Sequence, residues 1–374
     1  MNKVTILSLH LAFGGIEKAI CSLANLLVDD YEVEIISEYK LLEKPAFPLD
    51  ERVKVKYLIP ELKPNGKEFK EALKAFKIGS IIREGIISAK VLYLKKHRMI
   101  EAIRNCDADV IISSRLYFNN LLGKYGKPET KKVGWEHNHW EVVKGQHDKV
   151  VKSAENLDVL VSCSKQINEH YSNYVNCRCV AIGNIIDFIP DEYPTLEEKN
   201  MIAVGSLIER KGFLDLIDIM NQLCKMDARW HLNLFGDGEQ KQDILNKIKE
   251  YGLENNVTVH GFQSKDVINS YLSKSSIYMM TSHSEALPIV LLEAVSFGLP
   301  IVAYECPGVD EIVEEGLNGY IIAGRDLDDY CAKTMKLMND TELRKQFGKH
   351  SLEVSHRYSK EIIKREWENL IESL

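Results

Sequence analysis

Short apolar runs alternate with longer amphipathic segments along most of the chain. The first run covers residues 4–9, and after Gly14 and Gly15 apolar side chains recur at helical spacing over residues 16–27. This order predicts a strand, a glycine loop and a helix. Three more strands of the first half are predicted at residues 33–37, 109–113 and 159–162. Strands separated by helix-length segments are typical of a parallel sheet.

The same alternation resumes after a break at residues 185–194, where two prolines and several acidic residues interrupt the apolar pattern. We place an interdomain linker there. Beyond it, strands are predicted at residues 201–204, 232–235, 257–259, 277–280 and 300–303. Helices are predicted from about residue 214, near residues 239–251, from residue 289 towards Gly298, and after Gly308.

At 374 residues the chain exceeds what one hydrophobic core usually serves. The prediction is therefore an α/β protein with two doubly wound, Rossmann-like parallel-sheet domains, residues 1–188 and 196–355, facing each other across a cleft. Residues 356–374 form a terminal amphipathic helix by the same spacing argument. Ligands are expected in the cleft, at the carboxyl ends of the strands.

Composition narrows the class of protein. Hydrophobic residues make up 45% and charged residues 28%, the balance of a soluble globular protein. No apolar run reaches the roughly 18 residues of a membrane span, and the start of the chain leads into a strand rather than a signal peptide, so we expect a cytoplasmic protein. The eight cysteines are scattered, which favours reduced thiols. Cys177 and Cys179 lack a second Cys/His pair, so no metal site is predicted.

Charge is distributed unevenly. The formal net charge is −7, yet residues 63–99 hold ten lysines and arginines against three glutamates, with apolar side chains at helical spacing. This pattern predicts either a basic amphipathic surface facing anionic lipid or a solvated helix face. Gly79 and Gly85 weaken a single long helix there. The acidic total disfavours nucleic-acid binding.

Two glutamates separated by seven residues mark the segment where we expect the chemistry. Glu285 precedes a predicted helix whose first position suits Pro288, because proline lacks an N–H that is unpaired there anyway. The free N–H groups of that turn and the helix dipole favour a phosphate, and Glu293 lies roughly two turns further on. Alone, the spacing favours the simpler interpretation, a helix cap and a solvated charge.

Other candidate positions follow predicted strands. Residues 204–213 carry Arg210 and Lys211, two cations that suit a diphosphate beside a helix N-terminus, or alternatively are solvated loop charges. Residues 236–238 and 261–262 have the small residues that a tight turn beside a ligand requires, although either could be a turn alone. In residues 134–140, histidines and tryptophans lie together, either to bind a sugar or to pack on each other.

Five segments, taken in order, resemble a retaining family-4 nucleotide-sugar glycosyltransferase (glycosyl transferases group 1) with the two-domain GT-B fold. They are residues 14–18, 205–212, 236–238, 261–262 and 282–303. The resemblance covers nearly the whole chain. It implies an acceptor-binding first domain, a nucleotide-sugar-binding second domain and a final helix that crosses back to the first.

The resemblance also implies a role for each matching residue. Lys211, aided by Arg210, would hold the donor diphosphate and stabilise its departure. Glu293 would hold the ribose, while Glu285 would contact the transferred sugar. His137 matches a family histidine near that sugar. The other implied donor-binding positions are Gly14, Gly15, Gly205, Ser206, Gly236, Gly238, Gly261, Phe262, Ala286 and Leu287.

Two positions depart from the family pattern. Ser206 stands where arginine is common, so Arg210 would replace it in the diphosphate clamp, and Ala286 stands where glycine is commoner. The implied reaction retains the sugar configuration, with a donor phosphate oxygen as base and neither a divalent metal nor another cofactor. The expected donor is a UDP-sugar carrying a hexose or N-acetylhexosamine. The expected acceptor is a hydroxyl of a glycan or lipid-linked saccharide, in capsule or lipopolysaccharide synthesis at the inner membrane face.

Two rival functions stay open at this point. One is a non-catalytic sugar-nucleotide-binding subunit, which the departure at Ser206 keeps open. The other is a nucleotide-sugar epimerase with two similar domains, which would need acid and base residues for proton transfer.

Overall fold

The first domain is a parallel sheet covered by helices. The computed structural model describes residues 2–140 and 145–374. The elements of the first domain are β1 (Lys3–Ser8), α1 (Gly15–Leu27), β2 (Glu32–Tyr39), β3 (Lys54–Ile59), α2 (Gly66–Lys74), α3 (Ile78–Asn105), β4 (Val110–Ser113), α4 (Leu116–Tyr125), β5 (Lys131–Glu136), α5 (Gln146–Ala154), β6 (Val159–Ser162), α6 (Lys165–Ser172) and β7 (Arg178–Ala181). Within the described residues its seven strands run parallel in the order β3-β2-β1-β4-β5-β6-β7.

The second domain repeats this design. Its elements are β8 (Asn200–Val204), α7 (Phe213–Met226), β9 (His231–Phe235), α8 (Lys241–Tyr251), β10 (Val257–Gly261), α9 (Lys265–Leu272), β11 (Ile277–Met280), α10 (Ile289–Ser296), β12 (Ile301–Tyr304), β13 (Gly319–Ile322), α11 (Leu327–Asn339) and α12 (Thr341–Ser355). Its six described strands are parallel in the order β10-β9-β8-β11-β12-β13. The predicted pair of doubly wound α/β domains is confirmed.

The strand order of each sheet reverses once, and these reversals position the site. In the first sheet, β1 and β4 lie side by side at the centre, and the later strands are added outward from β1 to β3 on one side and from β4 to β7 on the other. In the second sheet, β8 and β11 hold the same central positions. Ligand sites form outside the carboxyl ends of strands at such switch points. The loop between β1 and α1 and the loop between β8 and α7 each lie at a switch point.

The last helix, α13 (Lys360–Glu372), packs on the first domain. Trp367 is fully buried in the core that α1 shares with the first sheet. Its ring centroid lies 5.1 Å from that of Trp135 on β5, at an interplanar angle of 76°. An edge-to-face pair of two tryptophans buries a large apolar area, so it anchors the end of the chain on the domain where the chain began.

Residues 305–318 differ from the predicted pattern. The apolar spacing predicts a helix after Gly308, but the segment forms turns and the next helix is α11. Gly308 has φ 76°, and a Cβ there would lie 2.0 Å from the Ala286 carbonyl oxygen. Further on, the Asn318 amide donates to the Ile312 carbonyl (2.9 Å). Close backbone packing and a turn closed by a side chain replace the predicted helix.

The basic segment at residues 63–99 forms α2 and most of α3. Gly79 and Gly85 lie inside α3 and do not interrupt it, while the chain turns at residues 75–77, where Phe76 has φ 52°. The expected weakness of a long helix at the glycines is therefore overridden by packing of α2 on α3. Within the part of the chain that the structure describes, no helix is both long and apolar enough to cross a membrane.

Candidate active site

A cavity of about 350 Å³ lies between the two domains at the switch points of both sheets. The first domain lines it with the start of α1 and the loop after β5, and the second domain lines it with the loop after β8 and the start of α10. Nine of the residues predicted from sequence meet in this lining: Gly15, His137, Gly205, Ser206, Arg210, Lys211, Glu285, Ala286 and Leu287.

The two cations of the second domain are held by a short 3₁₀ turn, Glu209–Lys211, between β8 and α7. Gly212 follows with φ 63°, and a Cβ there would lie 2.1 Å from the Thr281 carbonyl oxygen. The Arg210 carbonyl accepts a hydrogen bond from the His283 N–H (2.8 Å). Only glycine permits this close approach, which fixes the cations against the segment that carries Glu285.

Glu285 is the centre of the polar network. Glu285 is only 8% exposed. Its Oε1 lies 2.5 Å from Lys211 Nζ, and its Oε2 lies 3.4 Å from Arg210 Nη1. Arg210 also donates to the Ser284 carbonyl. A buried carboxylate requires such partners, and here one acidic side chain orients both cations towards the cavity.

Two helix N-termini face the cavity from opposite domains. The position of a Cβ on Gly15, the first residue of α1, would lie 3.6 Å from Ile289 Cδ1, on the first residue of α10. Pro288 is the N-cap of α10 rather than its first helical residue, one position away from the prediction. The unpaired N–H groups and dipoles of both helices add partial positive charge to that of Arg210 and Lys211.

Glu293 lies outside the cavity lining, on the second turn of α10. Its carboxylate forms an ion pair with Lys18 of α1, so the two domains are joined by a charge pair whose side chains are 15% and 17% exposed. The predicted ribose contact of Glu293 stays a prediction. In this structure the carboxylate that would make it is bound to Lys18.

Three other predicted glycines, Gly236, Gly238 and Gly261, lie against the backbone of neighbouring loops. A Cβ on Gly236 (φ 145°) would lie 1.8 Å from the Gly205 carbonyl oxygen, and a Cβ on Gly238 would lie 2.4 Å from that of Leu207. These glycines let the loop after β9 support the loop after β8. The Gly261 carbonyl accepts a hydrogen bond from the Gly236 N–H (2.9 Å), which joins the end of β10 to the loop after β9.

Two predicted positions lie at the margins of the site. Phe262 is 84% exposed beside the loops of the second domain. Gly14 is the N-cap of α1 with φ 107°, and a Cβ there would lie 2.4 Å from Glu17 Oε2. Glu17 is 2% exposed and pairs with Arg115 at 2.5 Å, which fixes the glycine loop to the first sheet.

His137 reaches the cavity from the end of β5. Its ring centroid lies 4.2 Å from that of Trp135, and its Nε2 has no hydrogen-bond partner among the described residues. Desolvation lowers the pKa of this histidine to about 3. His137 is therefore neutral near pH 7, and it offers a hydrogen bond rather than a charge to a bound molecule.

Two residues of the site were missed by the sequence analysis. Lys18 belongs to the glycine-loop segment, but nothing in the sequence pairs it with Glu293, which is 275 positions away. Asn184, which directly precedes the linker, lines the cavity, and its side-chain amide donates to the Leu287 carbonyl (3.3 Å). An asparagine beside the break between domains was the available signal for it.

Among the described residues, 2–140 and 145–374, no group of three or more His, Cys, Asp or Glu side chains is arranged to hold a metal ion.

The second domain matches a known family. Residues 186–354 match the family described as Glycosyl transferases group 1. An uncharacterized glycosyltransferase of Haemophilus influenzae is 27% identical over 368 residues, and the amylovoran biosynthesis glycosyltransferase AmsD of Erwinia amylovora is 27% identical over 380 residues; each match covers 96% of both chains. An exopolysaccharide phosphotransferase of Streptomyces coelicolor is 26% identical over 372 residues, 96% of this chain but 39% of that protein.

Solved structures share the whole fold. Staphylococcus aureus TarM in complex with fondaparinux, α-GlcNAc-glycerol and UDP superimposes with a TM-score of 0.78 at 15% identity, covering 99% of each chain. Anabaena HepE in complex with UDP and glucose superimposes with a TM-score of 0.77 at 18% identity, covering 100% of each. The structural likeness shows the GT-B fold. The family match and the relatives support a glycosyltransferase.

Proposed function

We propose that this chain is a retaining, metal-independent glycosyltransferase of the family-4 type. It transfers a hexose or N-acetylhexosamine from a UDP-sugar to a hydroxyl of a glycan or lipid-linked acceptor in cell-surface polysaccharide synthesis. The observation that carries the proposal is the convergence of Arg210, Lys211 and two helix N-termini on one interdomain cavity. The UDP bound by TarM and HepE supports the choice of donor.

The donor diphosphate occupies the positive end of the cavity. Lys211 and Arg210 contact its oxygens, and the N–H groups of Ala286 and Leu287 add neutral donors. The Glu293 carboxylate, on the second turn of α10, contacts the ribose of the same donor. Because both cations are already oriented by Glu285, they stabilise the charge of the departing diphosphate without rearranging.

The transferred sugar lies between Glu285 and His137. The bond between its anomeric carbon and the β-phosphate oxygen breaks, and the bonding electron pair stays on that oxygen. The acceptor hydroxyl oxygen bonds to the anomeric carbon on the same face, and its proton passes to the departing phosphate oxygen. Glu285 holds sugar hydroxyls, and neutral His137 donates or accepts one hydrogen bond.

Slow hydrolysis of UDP-, GDP- and ADP-sugars in EDTA tests this proposal without an identified acceptor. We expect one donor to be turned over selectively, and Lys211→Ala to lower kcat by about 100-fold to 1,000-fold, the usual effect of removing one electrostatic stabiliser. Lys349→Ala, which removes an exposed lysine on α12, is the matched control and leaves kcat unchanged. The released sugar, followed by NMR, keeps the donor's anomeric configuration.

The other outcomes separate the rival functions. Tight nucleotide-sugar binding without turnover, even with added lipid-linked acceptors, points to a non-catalytic subunit. Conversion of one UDP-sugar into its epimer identifies an epimerase. Turnover that EDTA abolishes and Mg²⁺ restores contradicts the metal-independent mechanism.

A further inference from the structure

Helices α2 and α3 of the first domain expose a row of large apolar side chains. We call residues 66–93, from the start of α2 through the first half of α3, the basic hairpin. At its turn Phe76 is 87% exposed, and Ile78 at the start of α3 is 74% exposed. Ile82 and Ile86 continue the row at 59% and 65%. Single exposed apolar residues are ordinary, but a contiguous row of isoleucine and phenylalanine marks an interaction surface.

The row forms a second apolar face on α3. Val91 and Met99 are buried and bind this helix to the first domain. Ile78, Ile82 and Ile86 follow one another at intervals of four residues, so they share another face, which continues to Tyr93. At 1.5 Å per residue this exposed stripe is roughly 22 Å long.

Positive charge surrounds the stripe. Lys67, Lys70, Lys74 and Lys77 are exposed on α2 and the turn, and Lys90 is exposed on α3. The wider segment, residues 63–99, carries a net charge of +7 in a chain whose total is −7. Charge of this sign beside an apolar stripe complements anionic phospholipid headgroups above acyl chains.

The contacts of α3 place the hairpin beside the cleft. Lys95 Nζ lies 3.3 Å from Glu38 Oε2, near the carboxyl end of β2, and Cys106 Sγ donates to Thr5 Oγ1, near the start of β1. The last third of α3 therefore spans the sheet from its carboxyl edge to its amino edge. The preceding residues of α3 extend beyond the carboxyl edge, the edge on which the candidate active site lies.

We propose that the basic hairpin docks this chain on a bilayer containing anionic phospholipid. The Phe76 turn and the isoleucine stripe enter the boundary between headgroups and acyl chains, and the lysines contact the headgroup phosphates. Docking in this orientation brings the mouth of the cleft to the membrane surface. The docking itself is independent of the proposed function, whereas its consequence, access to a lipid-linked acceptor, rests on it.

Sedimentation of the full-length protein with vesicles tests the docking. We expect binding to vesicles of phosphatidylcholine and phosphatidylglycerol in a 7:3 ratio, at least tenfold weaker binding to pure phosphatidylcholine, and further weakening as salt is raised. Replacing Lys70, Lys74 and Lys77 with glutamine lowers the partition coefficient about 100-fold, since each lysine near an anionic surface is worth about fivefold. Phe76→Ser combined with Ile82→Ser lowers it by at least tenfold.

The controls replace exposed residues elsewhere in the chain. Met226→Ser and Lys349→Gln lie in the second domain and keep wild-type vesicle binding. All hairpin variants keep the slow hydrolysis of the UDP-sugar, so a failure of docking is distinguishable from a failure of the proposed function. Equal binding of wild type and hairpin variants overturns the proposal. A shift from dimer to monomer in the Phe76→Ser/Ile82→Ser variant, with vesicle binding absent in wild type, overturns it in favour of self-association.

Discussion

At the scale of single residues, the candidate site is organised by a buried carboxylate that lies between two cations. Glu285 contacts Lys211 at 2.5 Å and Arg210 at 3.4 Å, and it lies just before the helix whose N-terminus faces the cavity. A diphosphate bound as proposed would therefore meet cations that Glu285 already orients. This arrangement gives the Glu285 carboxylate a role in the proposed diphosphate site, which is to hold the two cations in place.

Another buried acid lies near the carboxyl end of β2. Glu38 is fully buried, and neither carboxylate oxygen has a hydrogen-bond partner among the described residues. Lys95 lies 3.3 Å away. Burial dominates over this cation and raises the pKa of the Glu38 carboxyl from its ordinary 4.5 to about 7.

This carboxyl makes stability depend on pH. Between pH 4.5 and pH 7 the unfolded chain releases the Glu38 proton while the folded chain keeps it, so the free energy of unfolding falls as pH rises, by about 3 kcal/mol in total. In Glu38→Gln this contribution is absent. Urea unfolding across pH 4.5–7.5 measures it, and the gap in stability between variant and wild type changes by that amount across the range.

The exposed Glu254 provides the control for this measurement. Glu254→Gln removes a solvated carboxylate and leaves the slope of stability against pH as in wild type. A Glu38→Gln variant with the wild-type slope contradicts a buried, protonated Glu38 at acidic pH.

At the scale of secondary-structure elements, the site depends on loops that touch through their backbones. The loop after β9 packs on the loop after β8, and the turn after β12 packs on the segment before α10. Gly236, Gly238 and Gly308 lie at these contacts. Their lack of a side chain sets the spacing of the loops, and the loops in turn set the direction of the cations.

We expect Gly236→Ala to be much more destabilising than an alanine at another glycine with positive φ. At Gly236 a Cβ would lie 1.8 Å from the Gly205 carbonyl oxygen, and we expect a loss of about 3 kcal/mol or more in the free energy of unfolding. At Gly252 (φ 68°) a Cβ would have no neighbour within 4 Å among the described residues, and the loss is about 1 kcal/mol. Urea unfolding of both variants compares the two losses, and equal losses would mean that conformational strain alone governs Gly236.

At the scale of the whole molecule, an ion pair joins the two domains across the cleft, and the last helix returns to the first domain. Lys18 and Glu293 join α1 to α10 across the cleft. The helix α13 then ties the end of the chain to the first domain through Trp367. The cleft is therefore bridged by a polar contact between α1 and α10, and the last helix is anchored by the contact of Trp367 with Trp135, whose ring also packs on His137 of the cavity.

Removing the cleft pair tests its contribution to closure. In Lys18→Met we expect a larger radius of gyration by small-angle X-ray scattering and a donor KM about tenfold higher, with kcat little changed, because closure contributes to binding before the chemical step. Lys3→Met, which breaks the pair with Asp107 inside the first domain, is the control and changes neither. A lower KM in Lys18→Met would instead show that Lys18 competes with the donor for Glu293.

Strong local patterns made much of the fold predictable. The strand, glycine loop and helix at the start of the chain, and the helix that follows Pro288, form close to the predicted positions. The edge strands β3, β7 and β13 were not predicted. Edge strands are partly exposed, so their apolar pattern is weak, and only pairing with a neighbour defines them.

The sequence by itself determined two parallel-sheet domains and a basic amphipathic segment, because periodicity and turn chemistry are local properties. The nine site residues that meet in one cavity were expected from the family resemblance of their motifs. The tertiary structure alone decided the pairing of Lys18 with Glu293, the packing of Gly236 on Gly205, and the exposure of the isoleucine stripe. Each of these depends on which distant surfaces meet or stay open, and local pattern carries no information about contacts between residues far apart in the chain.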